Sequence, residues 1–202
     1  MNKIKFLLYF AVAALLLPLS SCEDPELNPY LEPETAVHGL GGFSSGSPTS
    51  FAVGNMTTGV KFDLQWVSID SKNTVTKMEV FVTYTEKYID PEKNPRTANH
   101  GTKRIVTIEG SNVPANRTKA SFTITPAQVY ELFKDAKFNY GTGSVGVFAA
   151  AARTASSRFT SSDGFKITWA FTTADGRYFD SWSDSVCLEF PGANCSLSWV
   201  AK

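Results

Sequence analysis

The sequence has few of the residues that most metalloproteins and nucleic-acid-binding proteins need. It contains two histidines and three cysteines in 202 residues, and these lie far apart. Because a zinc site needs four such ligands at close spacing, we expect neither a metal ion nor another cofactor. An excess of one charge is also missing, since 19 basic residues balance 19 acidic ones. Polyanion binding requires clustered Lys and Arg, so we expect no nucleic-acid partner.

Catalytic motifs are equally scarce. His38 lies in a presumed spacer segment and His100 in a stretch rich in turn residues, so a His-based triad would depend on a mobile residue. The acidic residues are scattered and suggest no glycosidase pair. The segment Gly141–Gly146 matches G-x-G-x-x-G, but an all-β context offers no helix N-terminus for a phosphate. We therefore predict that the protein is not an enzyme.

Long hydrophobic runs are confined to the N-terminus. Lys3 and Lys5 precede the apolar run Phe6–Leu17, which is shorter than the roughly 20 residues of a membrane-spanning helix. We interpret residues 1–21 as a cleaved lipoprotein signal peptide, because Leu19-Ser20-Ser21-Cys22 resembles a bacterial lipobox. This resemblance predicts acylation of Cys22 and attachment to a membrane through the N-terminal lipid. An ordinary secretory signal with an incidental cysteine is the alternative.

Residues 22–49 have the composition of a tether. Acidic residues and prolines dominate Glu23–Glu34, and Gly and Ser dominate Gly39–Thr49. The acidic pair behind Cys22 resembles the surface-export signal of Bacteroidota-type lipoproteins, and a plain solvated linker is the alternative. We expect one folded domain over residues 50–202.

Short alternating segments between turn residues indicate an all-β fold. In the first segment, Val60–Trp66, the residues Phe62, Leu64 and Trp66 share one face. The other strands that this pattern predicts cover about residues 75–87, 102–109, 120–124, 145–152, 165–173, 178–182 and 196–200. We expect the first two strands to form a hairpin and residues 90–101 to form a loop.

One helix should interrupt the strands near residues 126–134. Thr125 and Gln128 fit a capping box, and Pro126 suits the first helical position. Val129 and Phe133 then lie on one face, four residues apart. A helix this short must pack on the sheet to be stable.

The clearest hairpin signal is Asp175-Gly176 between two alternating runs. A two-residue turn here places Trp169 opposite Trp182 on the apolar face. The same register places Phe179 on the opposite face, where it should be partly exposed. It places Asp180 on the apolar side, where the carboxylate needs a partner or an edge position.

Cys187 and Cys195 remain once Cys22 is acylated. In a compartment outside the cytoplasm a disulfide between them is the expected state, and two free buried thiols are the alternative. We expect an Ω-like loop between the two cysteines.

The order of features in residues 60–202 resembles a group of uncharacterised Bacteroidota lipoproteins. The resemblance runs from Phe122–Tyr130 through the Phe-x-Ile-x-Trp run and Asp175–Phe179 to the cysteine loop. These lipoproteins are similar to small accessory proteins beside starch-utilisation-type transporter and glycan-binding pairs. The resemblance implies an immunoglobulin-like β-sandwich at the outer-membrane surface, facing the cell exterior. A jelly-roll-like sandwich is the alternative fold.

Two functions are consistent with this pattern. The first is a non-catalytic accessory or binding module that serves glycan or nutrient uptake and contacts a transporter complex or a glycan. The second is a structural or adhesive envelope lipoprotein without a soluble ligand. Because sugar rings stack on exposed aromatic faces, the candidate ligand-binding residues are Phe179, Tyr88 and Tyr140.

Overall fold

A computed structural model describes residues 35–149, 153–161, 163–180 and 194–202. The regular elements within these ranges are strands, one α-helix and two short 3₁₀ helices. In chain order they are β1 (Val37–Phe43), β2 (Val60–Ser68), β3 (Val75–Ile89), β4 (Pro95–Glu109), a 3₁₀ helix (Gly110–Asn112), β5 (Ala120–Ile124), α1 (Pro126–Phe133), β6 (Lys137–Asn139), β7 (Ser144–Gly146), a 3₁₀ helix (Val147–Ala149), β8 (Asp163–Thr173), β9 (Tyr178–Asp180) and β10 (Leu197–Val200).

The strands form two main antiparallel sheets that enclose one hydrophobic core. One sheet has the order β1-β2-β5, and the other has the order β10-β8-β3-β4, with β9 also paired to β8. This is the arrangement of immunoglobulin strands A-B-E against G-F-C-C′, with the helix in the connection after strand E. The prediction of an all-β, immunoglobulin-like sandwich is therefore confirmed.

The alternating faces predicted for the long strands are confirmed. Along most of β2, β3 and β8 every second residue is buried, as expected for a sheet with one face on the core. The large buried side chains on the core face of these strands include Phe62, Leu64, Trp66, Met78, Val80, Val82, Tyr84, Phe165, Ile167, Trp169 and Phe171.

The folded part begins earlier than predicted, because part of the expected spacer is a strand. β1 pairs with β2 from Val37 opposite Ser68 to Phe43 opposite Phe62. A Cβ atom on Gly39 would lie 2.1 Å from the indole of Trp169, and one on Gly41 would lie 2.7 Å from it. The glycines therefore allow a backbone to lie against a core tryptophan, and they do not mark a flexible linker.

The predicted hairpin between β2 and β3 is wrong. The two strands lie in different sheets, and the segment between Ser68 and Val75 crosses from one sheet to the other. The alternation of apolar and polar residues predicts which face of a strand is buried. It does not predict which strand lies beside it, because tertiary packing decides strand pairing.

The predicted loop over residues 90–101 is mostly strand. β3 and β4 form a long hairpin in which Ile89 faces Pro95. The turn is short because the Asp90 carboxylate accepts a hydrogen bond of 2.7 Å from the Asn94 amide. Pro95 can begin the strand because β4 is an edge strand and its missing N–H breaks no inner ladder.

The predicted capped helix is confirmed. The Thr125 hydroxyl accepts from the Gln128 amide, and the Gln128 side chain accepts from the Thr125 amide. Val129 and Phe133 are buried against the sheets.

The Asp175-Gly176 hairpin forms with a register one residue away from the predicted one. The Thr173 amide donates to the Arg177 carbonyl at 3.0 Å, so the loop has three residues and not two. Gly176 adopts a φ of 85°, which completes the longer turn. Phe171 therefore faces Phe179. Asp180 is opposite Ala170 and exposed, contrary to prediction.

Two further predictions concern the chain around β7 and β10. The strand predicted over residues 145–152 is wrong, because β7 ends at Gly146 and a 3₁₀ helix follows over Val147–Ala149. The predicted last strand is confirmed as β10.

Cys195 is buried, whereas Trp182 and Cys187 lie outside the described residues. The Trp169–Trp182 pairing and the disulfide remain predictions.

Candidate functional site

The sandwich has two ends of different character. At the first, which we call the entry end, the described chain begins at Thr35, close to Asn73 and Arg177. At the opposite end, which we call the far end, lie the β3–β4 turn and the β6–β7 hairpin. β3 runs from one end to the other over 15 residues, or about 46 Å at roughly 3.3 Å per residue.

A cleft of about 410 Å³ opens at the far end. Its walls come from the end of β3, from the β6–β7 hairpin and from the 3₁₀ helix that follows. The lining residues are Glu86, Tyr88, Ile89, Tyr140, Val145, Gly146, Val147 and Ala149. Ile89 is 65% exposed and Val145 is 45% exposed, which is unusual for branched apolar side chains. The volume and apolar lining are within the range of small-ligand sites.

The cleft contains two of the three aromatic residues proposed from the sequence. The Tyr88 and Tyr140 rings lie 5.0 Å apart between centroids and are nearly perpendicular, at 86°. Phe138 supports both of them, at 5.9 Å from Tyr88 and 5.0 Å from Tyr140. The two tyrosines therefore form a rigid aromatic corner in which a flat ligand can stack on one ring and touch the other.

A buried cluster of charged residues lies beneath this corner. The Arg153 guanidinium binds Asp163 with two hydrogen bonds, of 2.7 and 2.9 Å. It also donates to Glu86 Oε1 at 2.6 Å. The side chains of Arg153 and Asp163 are 2% and 0% exposed, and that of Glu86 is 13% exposed. We call Arg153, Asp163 and Glu86 the buried triad.

Two tyrosines complete the hydrogen bonding of the triad. Tyr140 Oη donates to Glu86 Oε2 at 2.6 Å, and Tyr84 Oη donates to Asp163 Oδ1 at 3.0 Å. Each carboxylate thus accepts from a guanidinium and a phenol. A network with all its members paired fixes its side chains. The position of the Tyr140 ring is therefore set from below by Glu86.

These contacts change the pKa values of the groups involved. Burial alone would raise the pKa of Glu86, but the close contact with His100 and the hydrogen bonds from Tyr140 and Arg153 outweigh it and lower the pKa to about 2. Burial and the neighbouring Glu86 carboxylate raise the pKa of the Tyr140 phenol. At neutral pH the cleft therefore contains an ionised carboxylate and a protonated phenol.

His100 was expected in a loop, but it lies on β4 with its side chain 1% exposed. Its Nε2 lies 3.4 Å from Glu86 Oε2, and neither ring nitrogen makes a regular hydrogen bond. The ring packs between Tyr84 and Phe138, at centroid distances of 4.7 and 5.5 Å.

His38 was also expected outside the fold, but it lies on β1, where burial lowers the pKa of its imidazole.

The third candidate, Phe179, lies elsewhere. The shifted hairpin register turns its ring toward the core, where it is half-buried, and exposes Tyr178 instead. The predicted partial exposure of Phe179 agrees with this half-buried position, but the prediction that its ring lies on the face opposite the core is wrong. The proposed lipid attachment site, Cys22, lies outside the described residues.

Sequence reasoning missed the residues that support the cleft. Glu86 and Arg153 are 67 positions apart, and neither belongs to a local motif. Ile89 follows Tyr88 directly in the sequence, and only the hairpin turn shows that both line one cleft. The sequence has one signal for this site. Glu86 continues the strand face whose buried apolar series ends at Tyr84, and a carboxylate is unusual at such a position.

A second cavity of about 490 Å³ lies at the entry end, between the β2–β3 crossing and residues 110–116. Its polar groups mostly bind each other. The Asn116 amide donates to the Ser68 carbonyl at 2.9 Å and accepts from the Ser68 amide at 3.0 Å. This cavity therefore offers fewer free groups to a ligand than its size suggests.

Neither a metal site nor a membrane-spanning helix is found in the part of the chain that the structure describes. Among these residues no three His, Cys, Asp or Glu side chains are grouped so that they could hold a metal ion. No helix within the same ranges is both long and apolar enough to cross a membrane.

Comparisons with known proteins give a distant structural neighbour. No family model and no curated protein matches the sequence. A crystal structure of a DUF4466 family protein from Parabacteroides merdae ATCC 43184 aligns with a TM-score of 0.35 and 10% sequence identity. The alignment covers 73% of this chain and 43% of that protein, so this chain spans less than half of the neighbour's length.

Proposed function

We propose that the protein is a non-catalytic glycan-binding module, anchored by an N-terminal lipid at the outer-membrane surface and serving nutrient uptake. The observation that carries this proposal is the aromatic corner of Tyr88 and Tyr140 in an open cleft. Sugar rings present apolar C–H faces that stack on tyrosine rings. A contact with a transporter complex is the second part of the proposal, and the exposed Ile89 is its best candidate residue.

The hydroxyl groups of the corner can act in different ways. The Tyr140 hydroxyl donates a hydrogen bond to Glu86, and this bond holds the ring in place. Among the described residues Tyr88 makes ring contacts only, so its hydroxyl can donate to a sugar oxygen. The corner thus combines a fixed stacking surface with one adaptable polar contact, as preorganised binding sites do.

The state of the two carboxylates supports binding without catalysis. Retaining and inverting glycosidases both need a carboxylic acid that is protonated at working pH. Glu86 has a pKa held near 2 and is ionised. Asp163 is fully buried and bound by a guanidinium, so a substrate cannot reach it. The triad is therefore suited to hold Tyr140 and not to transfer a proton.

The position of the cleft suits a surface-tethered protein. The chain enters the sandwich at Thr35, and the cleft lies at the other end of β3, about 46 Å away at roughly 3.3 Å per residue. A domain tethered at the entry end can turn the far end away from the membrane. The cleft would then be accessible to a large polysaccharide.

Binding to polysaccharides tests this proposal. We would measure retardation in affinity electrophoresis with starch, hydroxyethylcellulose, xylan, mannan and dextran. At least one should retard the wild-type protein. Because the stacking surface is lost, Tyr88→Ala should weaken that binding at least about tenfold, a change of ~1.4 kcal/mol.

Tyr178→Ala is the matched control, because Tyr178 is 54% exposed and lies at the entry end. It should bind like the wild type. If neither polysaccharides nor oligosaccharides bind, the glycan-binding proposal fails and the structural or adhesive function takes its place. Equal losses in Tyr88→Ala and Tyr178→Ala would place binding outside the cleft.

Anchoring needs a separate experiment, since Cys22 lies outside the described residues. Cys22→Ala should release the protein from the membrane fraction, because no acyl chain would then hold it. A mutant that still sediments with membranes and is released only by detergent would contradict lipid attachment.

A further inference from the structure

We propose that the cleft takes glycans without charged groups and discriminates against acidic ones such as uronates and sulfated sugars. This inference rests on the proposed function. It follows from the charged groups around the cleft, which together have a net negative charge.

The buried triad has a net negative charge. Two carboxylates, Glu86 and Asp163, share the single guanidinium of Arg153. Glu86 lines the cleft, and its pKa of about 2 keeps it ionised throughout the physiological range. An acidic sugar in the cleft would therefore meet a carboxylate of the same sign.

No positive charge compensates for this within the described lining of the cleft. The residues that form it include no Lys or Arg. Lys87 lies between Glu86 and Tyr88 on β3, but it is exposed and does not line the cleft. Arg96 is the cross-strand neighbour of Tyr88, but its guanidinium is 3.0 Å from the Asp90 carboxylate.

An anionic ligand would therefore lose solvation without gaining a partner. Charged groups are costly to remove from water unless an opposite charge or several donors replace the water. A neutral sugar has no such cost and keeps its stacking contact with the tyrosines. Selectivity thus comes from repulsion of the wrong ligand as well as attraction of the right one.

The test compares polysaccharides that share a backbone and differ in charge. The pairs are hydroxyethylcellulose with carboxymethylcellulose, methyl-esterified pectin with polygalacturonate, and dextran with dextran sulfate. At about 20 mM salt the full chain should bind at least one neutral member, and its acidic counterpart about tenfold more weakly. Because salt screens repulsion between charges, the difference should narrow at about 500 mM salt.

Two variants assign this selectivity to the cleft. Val145→Lys adds a cation at an exposed lining position and should improve binding of the acidic members. Glu86→Gln should reduce the discrimination, and its thermal unfolding would be measured alongside. Val145→Ser is the control for loss of the apolar side chain.

The possible outcomes separate the two proposals. Acidic and neutral members binding equally, or the acidic ones more tightly, would overturn this inference and leave glycan binding intact. The inference would also fail if the difference in affinity between neutral and acidic polysaccharides did not change with salt. Steric exclusion, and not charge repulsion, would then account for that difference. Failure of every polysaccharide to bind would overturn the glycan-binding function and this inference together.

Discussion

The entry end and the far end of the sandwich differ in how their side chains are paired and exposed. At the entry end polar side chains bind one another, and Arg177 donates to the Thr35 carbonyl at 3.0 Å and to the Asn73 side chain. At the far end Ile89 and Val145 are left exposed above a buried charged triad. The far end therefore combines exposed apolar side chains with an aromatic corner, and this combination is the reason why we place the proposed ligand there.

The difference extends to the aromatic residues. Trp169 packs on the glycines of β1 and has no open face. Tyr88 and Tyr140 pack on each other and on Phe138, yet still line a cleft. The core aromatics stabilise the fold, and the far-end aromatics form a surface. Mutations in the two regions should therefore affect different measurements.

The largest effect is expected when the triad loses its cation. Arg153→Ala leaves the buried carboxylates of Glu86 and Asp163 without the cation that they share, which should cost about 3–5 kcal/mol of unfolding free energy. Urea unfolding would measure it. Arg158→Ala is the control, because within the described ranges the Arg158 side chain makes one recorded contact, with the face of Tyr130. A loss of unfolding free energy below ~1 kcal/mol in Arg153→Ala would show that Arg153 is not buried in an ion pair with Glu86 and Asp163.

The next largest effect concerns the glycines of β1. A side chain on Gly41 would collide with the Trp169 indole, whereas one on Gly42 would meet nothing within 4 Å. Gly41→Val should therefore destabilise the protein by about 3 kcal/mol, and Gly42→Val by far less. Thermal unfolding of the two variants compares them directly. Equal midpoints would mean that β1 does not lie against Trp169.

A smaller effect should come from the β8–β9 hairpin. Phe179 is half-buried against the core and Tyr178 is exposed. Phe179→Ala should cost about 2 kcal/mol and Tyr178→Ala less than ~0.5 kcal/mol. Chemical denaturation of both variants tests the register. The reverse order would restore the two-residue turn that the sequence suggested.

The smallest change in stability is expected at the tip of the β6–β7 hairpin. Gly141 and Gly143 both have positive φ, of 101° and 110°. A Cβ atom on Gly141 would lie 2.7 Å from Pro91 in the β3–β4 turn, but one on Gly143 would meet nothing. Both alanine variants should lose about 1 kcal/mol from backbone strain. Gly141→Ala alone should also weaken ligand binding, because it displaces one wall of the cleft.

Much of the fold could be predicted from local pattern. Strand faces follow from alternation within a few residues, and the helix follows from Thr125, Pro126 and Gln128. The neighbours of each strand could not be predicted, because pairing depends on packing between distant segments. Gly41 shows this well, since its role is visible only when Trp169, more than 100 residues later, lies against it.

The candidate site was predictable only in part. Tyr88 and Tyr140 were chosen because exposed aromatic residues bind sugars, and they lie together. Phe179 was chosen by the same reasoning, but it lies apart from them with its ring toward the core, because one extra loop residue reversed its face. Arg153 and Asp163 could not be found from the sequence, since burial alone distinguishes them from ordinary surface charges.

The central claim is that the far-end cleft is the binding site. An NMR titration of the ¹⁵N-labelled protein with maltohexaose, cellohexaose, xylohexaose and mannohexaose tests it most directly. With at least one sugar, the largest amide shifts should lie in residues 86–89 and 140–149, which contain the lining residues of the cleft. Shifts concentrated in residues 71–76 and 110–116, around the entry-end cavity, would contradict the claim.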